Sequence, residues 1–207
     1  AYGDRPLFVC ARDTGLLVSF FPLLLVLSFL RGRNRAGMPP LPILILAAAG
    51  ILFFALDGFS SYIGWRESSN LLRLLSGFAA GAGLAFPAAA LINRWVFGGD
   101  RTLKVGARWN DWLAAALAGG AVLALYLVRP AGLFRLGQIW LLICMLGTFW
   151  SLSLLLVCLV QGREGGGITW RRALAALFLT AALLAASYSL HRALEVGGPL
   201  PAGLFKR

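Results

Sequence analysis

The amino-acid sequence predicts an all-α protein, a polytopic transmembrane helical bundle of six spans. Hydrophobic residues make up 59% of the 207-residue chain and charged residues 13%, whereas a soluble domain carries about 25% charged residues. Six apolar runs are long enough, or nearly so, to cross a hydrocarbon core of about 30 Å as helices. Such continuous runs exclude the strands of a membrane barrel, which alternate over about ten residues.

Short polar stretches separate the predicted spans. The first span ends at an arginine-rich stretch followed by Pro39 and Pro40, since proline and clustered charges stop a membrane helix. We see no short apolar leader with a cleavage site, so we expect this first run to be a true span. The whole chain, 1–207, is predicted to form a single transmembrane domain, with three spans in 1–97 and three in 98–207. The predicted spans are 15–30, 41–63, 74–97, 111–128, 134–160 and 170–190.

The distribution of basic residues predicts the orientation. The first, third and fifth loops carry ten Lys and Arg residues, and the second and fourth carry four. Because loops rich in Lys and Arg face the cytoplasm, we expect a multi-pass protein of the inner (cytoplasmic) membrane with both termini extracytoplasmic. The net charge of +11 lies in short runs beside spans and in no nucleic-acid-binding motif. We therefore expect lipids as partners, and no nucleic acid.

Several polar residues far apart in sequence are expected at one membrane face. The alternation of spans brings together the N-terminal segment, the second loop and the end of the sixth span. We predict that Asp57 forms an ion pair with Arg66 or Arg73, because a charge this close to hydrocarbon needs a partner. A ligand or ion site at Asp57 is the alternative. The residues expected at this face are Cys10, Arg12, Asp13, Asp57, Arg66, Glu67, Asn70, Arg73, His191 and Glu195.

Smaller features of these segments each allow a structural interpretation. Asp13 suits the N-terminal cap of the first span. Glu67, Asn70 and Arg73 lie on one helix face, as a solvated rim or as a polar network. A stripe of small residues in the third span favours close helix packing, within the chain rather than with a partner. The stripe consists of Gly77, Gly81 and Ala85.

Two blocks of sequence resemble a known family. The first is Cys10-Ala-Arg-Asp-Thr-Gly15. The second comprises Leu56-Asp57-Gly58 and the stretch Trp65-Arg-Glu-Ser-Ser-Asn-Leu-Leu-Arg73. Together they resemble DUF2085, a bacterial and archaeal family of membrane proteins of unknown function. The resemblance covers about residues 7–95, under half of the chain.

The family pattern implies a possible site for a soft metal or redox chemistry. It has an N-terminal Cys-His pair and a second cysteine where this chain has Asp13. Here only Cys10 remains of those thiols, and a structural zinc site needs about four ligands. Cys10, Asp13, Asp57 and His191 are the available ligands, and we expect neither a bound metal nor a cofactor.

No catalytic constellation is visible, so we expect a protein that is not an enzyme. One histidine and three scattered cysteines leave little for acid–base or nucleophilic chemistry. Apolar spans with short loops favour a subunit or accessory protein of a larger membrane complex. The alternative is a small-solute or metal-ion binding or transport protein that uses the polar cluster at the outer face.

Overall fold

A computed structural model of the chain describes residues 9–30, 32–65, 69–108, 111, 113, 120, 123–124, 134–162 and 164–196. The protein is predominantly helical. Within the described residues, five helices are long and apolar enough to cross a membrane. The predicted span 111–128 lies mostly outside the described residues, so the sixth span stays a prediction.

The helix bounds follow local capping chemistry. Helix α1 begins after Cys10, whose sulfur accepts a hydrogen bond from the amide of Asp13, and α3 begins after Ser69, whose hydroxyl accepts from the amide of Leu72. Pro40 is the N-cap of α2, and Pro42 lies in the first turn, where a missing amide proton costs nothing. The five helices are α1 (Ala11–Leu24), which continues as a π-helix over Leu25–Leu30, α2 (Leu41–Tyr62), α3 (Asn70–Trp95), α4 (Phe134–Val160) and α5 (Trp170–Val196).

Two predicted helix starts were too late. Helix α1 begins at Ala11 rather than at residue 15, and α3 begins at Asn70 rather than at residue 74. The polar residues there are the first turns of the spans themselves, because caps at Cys10 and Ser69 allow the helix to start before the apolar run does. Asn70 and Arg73 therefore belong to α3.

Helices α1 and α3 pack with their backbones in close contact. A methyl group added at Gly77 would overlap the carbonyl oxygen of Arg12, and one added at Gly81 would overlap that of Leu16. On the α1 side, a methyl group at Gly15 would lie 2.8 Å from the amide nitrogen of Phe78. The small-residue stripe thus faces a helix of the same chain, and this packing sets the register of α1 on α3.

Helix α4 completes the core and runs in the same direction as α1 and α3. Near its start, Leu141 packs with Leu17 and Leu74, which lie early in α1 and α3. Near its end, Leu154 packs with Ile92 and with Val105, which follows β2. The two clusters therefore mark opposite ends of the bundle.

Two short strands, which the sequence did not predict, join the first and third loops. Strand β1 (Arg35–Gly37) pairs in parallel with β2 (Asp100–Lys104), with Arg35 opposite Asp100. The amide of Asp100 donates to the carbonyl of Asn34 over 2.9 Å. The pairing is parallel because α1 and α3 run in the same direction, and the segments that follow them leave the bundle at the same end.

Candidate functional site

An ion pair between Arg12 and Asp57 lies at the end of the bundle where α1 and α3 begin. We call this end the Asp57 face; it comprises Cys10, Arg12, Asp13, Asp57, Ser61, Arg73 and Ser76. The Nη2 and Nε atoms of Arg12 donate to Oδ2 of Asp57 over 2.9 and 3.2 Å, and Nη2 also approaches the Asp57 carbonyl at 3.3 Å. The side chain of Asp57 is 0% exposed and that of Arg12 is 21% exposed.

The ion pair joins three helices. Ser76 of α3 donates its hydroxyl to Oδ2 of Asp57 over 3.1 Å, while Arg12 reaches Asp57 from α1. The guanidinium of Arg12 also lies 5.8 Å from the ring centre of Phe54 in α2, within cation–π range. Hydrogen bonds from both neighbouring helices therefore compensate the buried carboxylate.

The sequence prediction named Arg66 or Arg73 as the partner of Asp57, and Arg12 is a partner that it did not name; the Arg66 part of that prediction stays a prediction. Arg73 instead donates from Nη2 to the hydroxyl of Ser61 over 3.2 Å, and its buried Nε has no hydrogen-bond partner in the described part of the chain. Arg66 and Glu67 lie outside the described residues. Asn70 is exposed at the first position of α3.

Cys10 and Asp13 form a local pair at the start of α1. The thiol of Cys10 donates to Oδ2 of Asp13 over 3.0 Å. Partial burial and this carboxylate raise the pKa of the Cys10 thiol. Because the thiolate is the reactive species, Cys10 at neutral pH is a protonated cap rather than an activated nucleophile.

The ligands considered for a metal do not converge where the structure describes them. Among the described residues, no three His, Cys, Asp or Glu side chains are close enough to share a metal ion. Cys10 and Asp13 contact each other, and Asp57 is engaged by Arg12 and Ser76. The side chains of His191 and Glu195 lie outside the described residues.

The opposite end of the bundle is strongly basic. Glu164 of the α4–α5 loop accepts hydrogen bonds from Arg94, over 2.6 Å to Nη2, and from Arg101. These two guanidinium groups lower the pKa of Glu164. We call this end the arginine face; its cationic residues are Arg33, Arg35, Arg94, Arg101, Lys104, Arg108, Arg171 and Arg172.

Buried polar contacts at the arginine face escaped the sequence analysis. The amide nitrogen of Asn93, which is fully buried, donates to the carbonyls of Gly32 and Arg35 over 2.9 and 2.7 Å and lies 3.3 Å from that of Leu27. It thereby satisfies carbonyls freed where α1 ends. A lone Asn in an apolar span was the available signal, but its acceptors lie about sixty residues earlier.

Two arginines fix the loops of this face. Nη1 of Arg35 contacts Oδ2 of Asp111 at 2.6 Å. Arg172 donates to the carbonyls of Gly165 and Gly167 and to the side chain of Gln161. The loop that contains these glycines donates two amide protons in turn. One goes to the last carbonyl of α3 and the other to the carbonyl of the residue that follows α3. The loop's positive φ angles of 76°, 93° and 69° explain the run of three glycines.

Comparison with known proteins gives a family for the N-terminal part. A stretch of 77 residues is 35% identical to an uncharacterized protein of Methanothermobacter thermautotrophicus, covering 37% of this chain and 65% of the relative. A stretch of 78 residues is 33% identical to an uncharacterized protein of Methanocaldococcus jannaschii, covering 38% and 48%. The chain thus spans less than two thirds of either relative.

No solved structure matches the chain. The family model of DUF2085, described as a predicted membrane protein, matches residues 1–86. This range holds α1, α2 and most of α3, and with them the residues Arg12, Asp57 and Ser76 that join the three helices. The resemblance drawn from the two sequence blocks is therefore confirmed: residues 1–86 of this chain match the model of the predicted membrane protein family DUF2085.

Proposed function

We propose that the chain is a non-enzymatic subunit or accessory protein of a larger membrane complex. The observation that supports this is the outer surface of α2. Its buried share is 22%, against 50% for α3 and 17% for α5, and large apolar side chains cover the remainder. A partner with an apolar transmembrane helix suits this surface, because helices associate in lipid by side-chain packing. The exposed large residues of α2 are Leu41, Ile45, Leu46, Ile51, Leu52, Phe53, Leu56, Phe59 and Tyr62.

The use of polar groups supports the same proposal. Asp57, Ser76 and Arg12 are engaged with one another across three helices of the chain. These contacts stabilise the bundle, and the buried carboxylate of Asp57 serves as an acceptor for both Arg12 and Ser76. The polar centre of the Asp57 face thus suits a structural role, and the apolar outer surface suits association.

Six spans are part of this proposal. Asp111 contacts Arg35 at the arginine face, whereas Phe134 packs in the cluster with Leu17 and Leu74 at the opposite end. These two positions support a sixth span between them, as the sequence predicts for 111–128. With the arginine face in the cytoplasm, the protein would lie in the cytoplasmic membrane with both termini extracytoplasmic.

Site-specific photo-crosslinking in cells tests the association. A photoreactive amino acid at Phe59, which is exposed on α2, should crosslink to another polypeptide. The matched control is Leu136, which is exposed on α4. Purification in several mild detergents should also give a particle heavier than one chain with its micelle. A strictly monomeric particle, together with no crosslink or equal crosslinks at both positions, would contradict the proposal.

A second candidate function, binding of a small anionic solute, rests on Arg73. Its buried Nε has no partner in the described residues, and its Nη2 contacts only the neutral hydroxyl of Ser61 there. A panel of small carboxylates should then raise the unfolding temperature of the purified protein. Arg73→Gln should abolish that shift, and Arg171→Gln should not. Elemental analysis of the same sample tests the metal-ion alternative.

A further inference from the structure

A cavity of about 390 Å³ opens at the arginine face, between the end of α1 and the two strands. Its volume is within the usual range for small-molecule sites, which begins at about 300 Å³. The polar part of its wall consists of Arg33, Asn34, Arg35 and Arg108, and its apolar part includes Leu30 and Leu103. No carboxylate is among the described residues that line it.

The positive charge in this cavity is not neutralised by the part of the chain that the structure describes. Arg35 is paired with Asp111. Arg33 stacks on the ring of Phe97 at 4.8 Å, a contact that holds the guanidinium without cancelling its charge. Arg108 is exposed, and neither Arg33 nor Arg108 forms an ion pair with a described carboxylate. Two guanidinium groups are therefore available to an anion.

A second, larger cavity of about 820 Å³ at the same face is less suited to an anion. It is lined by Glu164 as well as by Arg171 and Arg172. Arg172 already donates to two backbone carbonyls, and the carboxylate of Glu164 would repel a second negative group. The comparison favours the smaller cavity as the anion site.

The apolar wall indicates what kind of anion fits. Leu30 is 74% exposed at the last position of the membrane-spanning α1 segment, and Leu103 is also exposed. The cavity therefore lies where a span meets the polar headgroup region, with apolar surface on one side and guanidinium groups on the other. Basic pockets at the ends of transmembrane helices commonly bind anionic headgroups.

We propose that Arg33 and Arg108 form a binding site for a phosphate ester, presented by an anionic phospholipid headgroup or by a soluble phosphorylated compound. The planar fork of each guanidinium matches two phosphate oxygens. Asn34 supplies a further donor beside them. With a lipid, the acyl chains would lie against Leu30.

The test uses the purified full chain and two probes, phosphatidylglycerol in nanodiscs and inorganic phosphate in detergent. We expect Arg33→Gln/Arg108→Gln to weaken probe binding about fivefold per arginine. The control Lys104→Gln/Arg171→Gln removes the same charge from the same face outside the cavity and should change binding by less than about twofold. Phosphatidylcholine serves as the zwitterionic reference.

The pattern of results identifies the source of the phosphate. A loss confined to phosphatidylglycerol supports a lipid headgroup, and a loss confined to inorganic phosphate supports a soluble ligand. Equal effects of the site and control variants, or no effect on either probe, overturn the proposal. If the double variant unfolds, the single variant Arg108→Gln decides, because Arg108 is exposed. Unchanged binding in this single variant also overturns the proposal.

Discussion

Loss of the ion-pair partner should cost more stability at Asp57 than at Arg12. The carboxylate of Asp57 is fully buried, whereas Arg12 keeps a fifth of its surface exposed and can turn toward water. We therefore expect Arg12→Gln to destabilise the protein by about 2–4 kcal/mol and Asp57→Asn by about 1–2 kcal/mol, since a buried charge that loses two hydrogen bonds costs more than a charge that can be hydrated. Reversible unfolding in mixed micelles measures both values.

The double variant provides the control for this comparison. Arg12→Gln/Asp57→Asn should cost less than the sum of the two single changes, because the groups contact each other directly. Arg171→Gln, an exposed arginine at the other end, should change stability by less than about 0.5 kcal/mol. Additive single effects would mean that the contact contributes nothing to stability.

The sequence was sufficient to single out Asp57 but did not indicate Arg12 as a partner. A carboxylate directly after an apolar run needs a cation, and the arginines of the second loop were closest along the chain. Arg12 lies 45 residues earlier and reaches Asp57 because Gly15, Gly77 and Gly81 allow α1 to lie against α3. Proximity in sequence could not indicate this contact, because helix packing brings the two side chains together.

At the scale of the helices, the α1–α3 contact is where a small change should have a large effect. Gly81→Ala places a methyl group on the carbonyl oxygen of Leu16, a backbone atom that cannot rotate away. We expect a loss of about 1–3 kcal/mol, as for overpacked cores. Gly120→Ala, at a helical glycine with open space around it, is the control and should be neutral or slightly stabilising. Unfolding in mixed micelles compares the stabilities of the two variants. Equal stabilities would contradict the close contact between α1 and α3.

The loops of the arginine face should loosen only at low pH. Arg94 and Arg101 lower the pKa of Glu164 from its ordinary value of 4.5. The ion pairs are therefore complete above that value and are lost as the pH falls through the lowered pKa. Hydrogen exchange in β2 and the α4–α5 loop should be faster in Glu164→Gln than in the unchanged chain at neutral pH. This difference should disappear only as the pH falls below the ordinary value of 4.5 and through the lowered pKa of Glu164; a difference that already fades near pH 6 would contradict the assignment.

The helices were predictable because each apolar run is long enough to determine its own structure. The strands were not, because β1 has three residues and β2 five, too few for a reliable alternation pattern. Their pairing depends on α1 and α3 ending side by side, which is a property of the tertiary structure. Asn93, which holds the end of α1, illustrates the same dependence.

For the whole molecule, the contrast between the two ends carries the argument about orientation. Among the described residues, the arginine face holds eight cationic side chains against the carboxylates of Asp100, Asp111 and Glu164. At the opposite end, the described helices carry Arg12, Arg73, Arg135 and Arg192 together with Asp13, Asp57 and Glu195, a smaller excess of positive charge. The difference favours the arginine face in the cytoplasm.

The cysteines of the chain allow this orientation to be measured without altering it. Cys10 is exposed at the Asp57 face, whereas Cys144 and Cys158 are buried. A membrane-impermeant maleimide should therefore label intact cells at Cys10 and nowhere else. Because the pKa of the Cys10 thiol is raised, labelling should become faster as the pH rises and supplies more thiolate. Cys10→Ser should abolish the signal, and Arg171→Cys in that background should react only after permeabilisation. The reverse pattern would place the arginine face outside and overturn the orientation derived from charge.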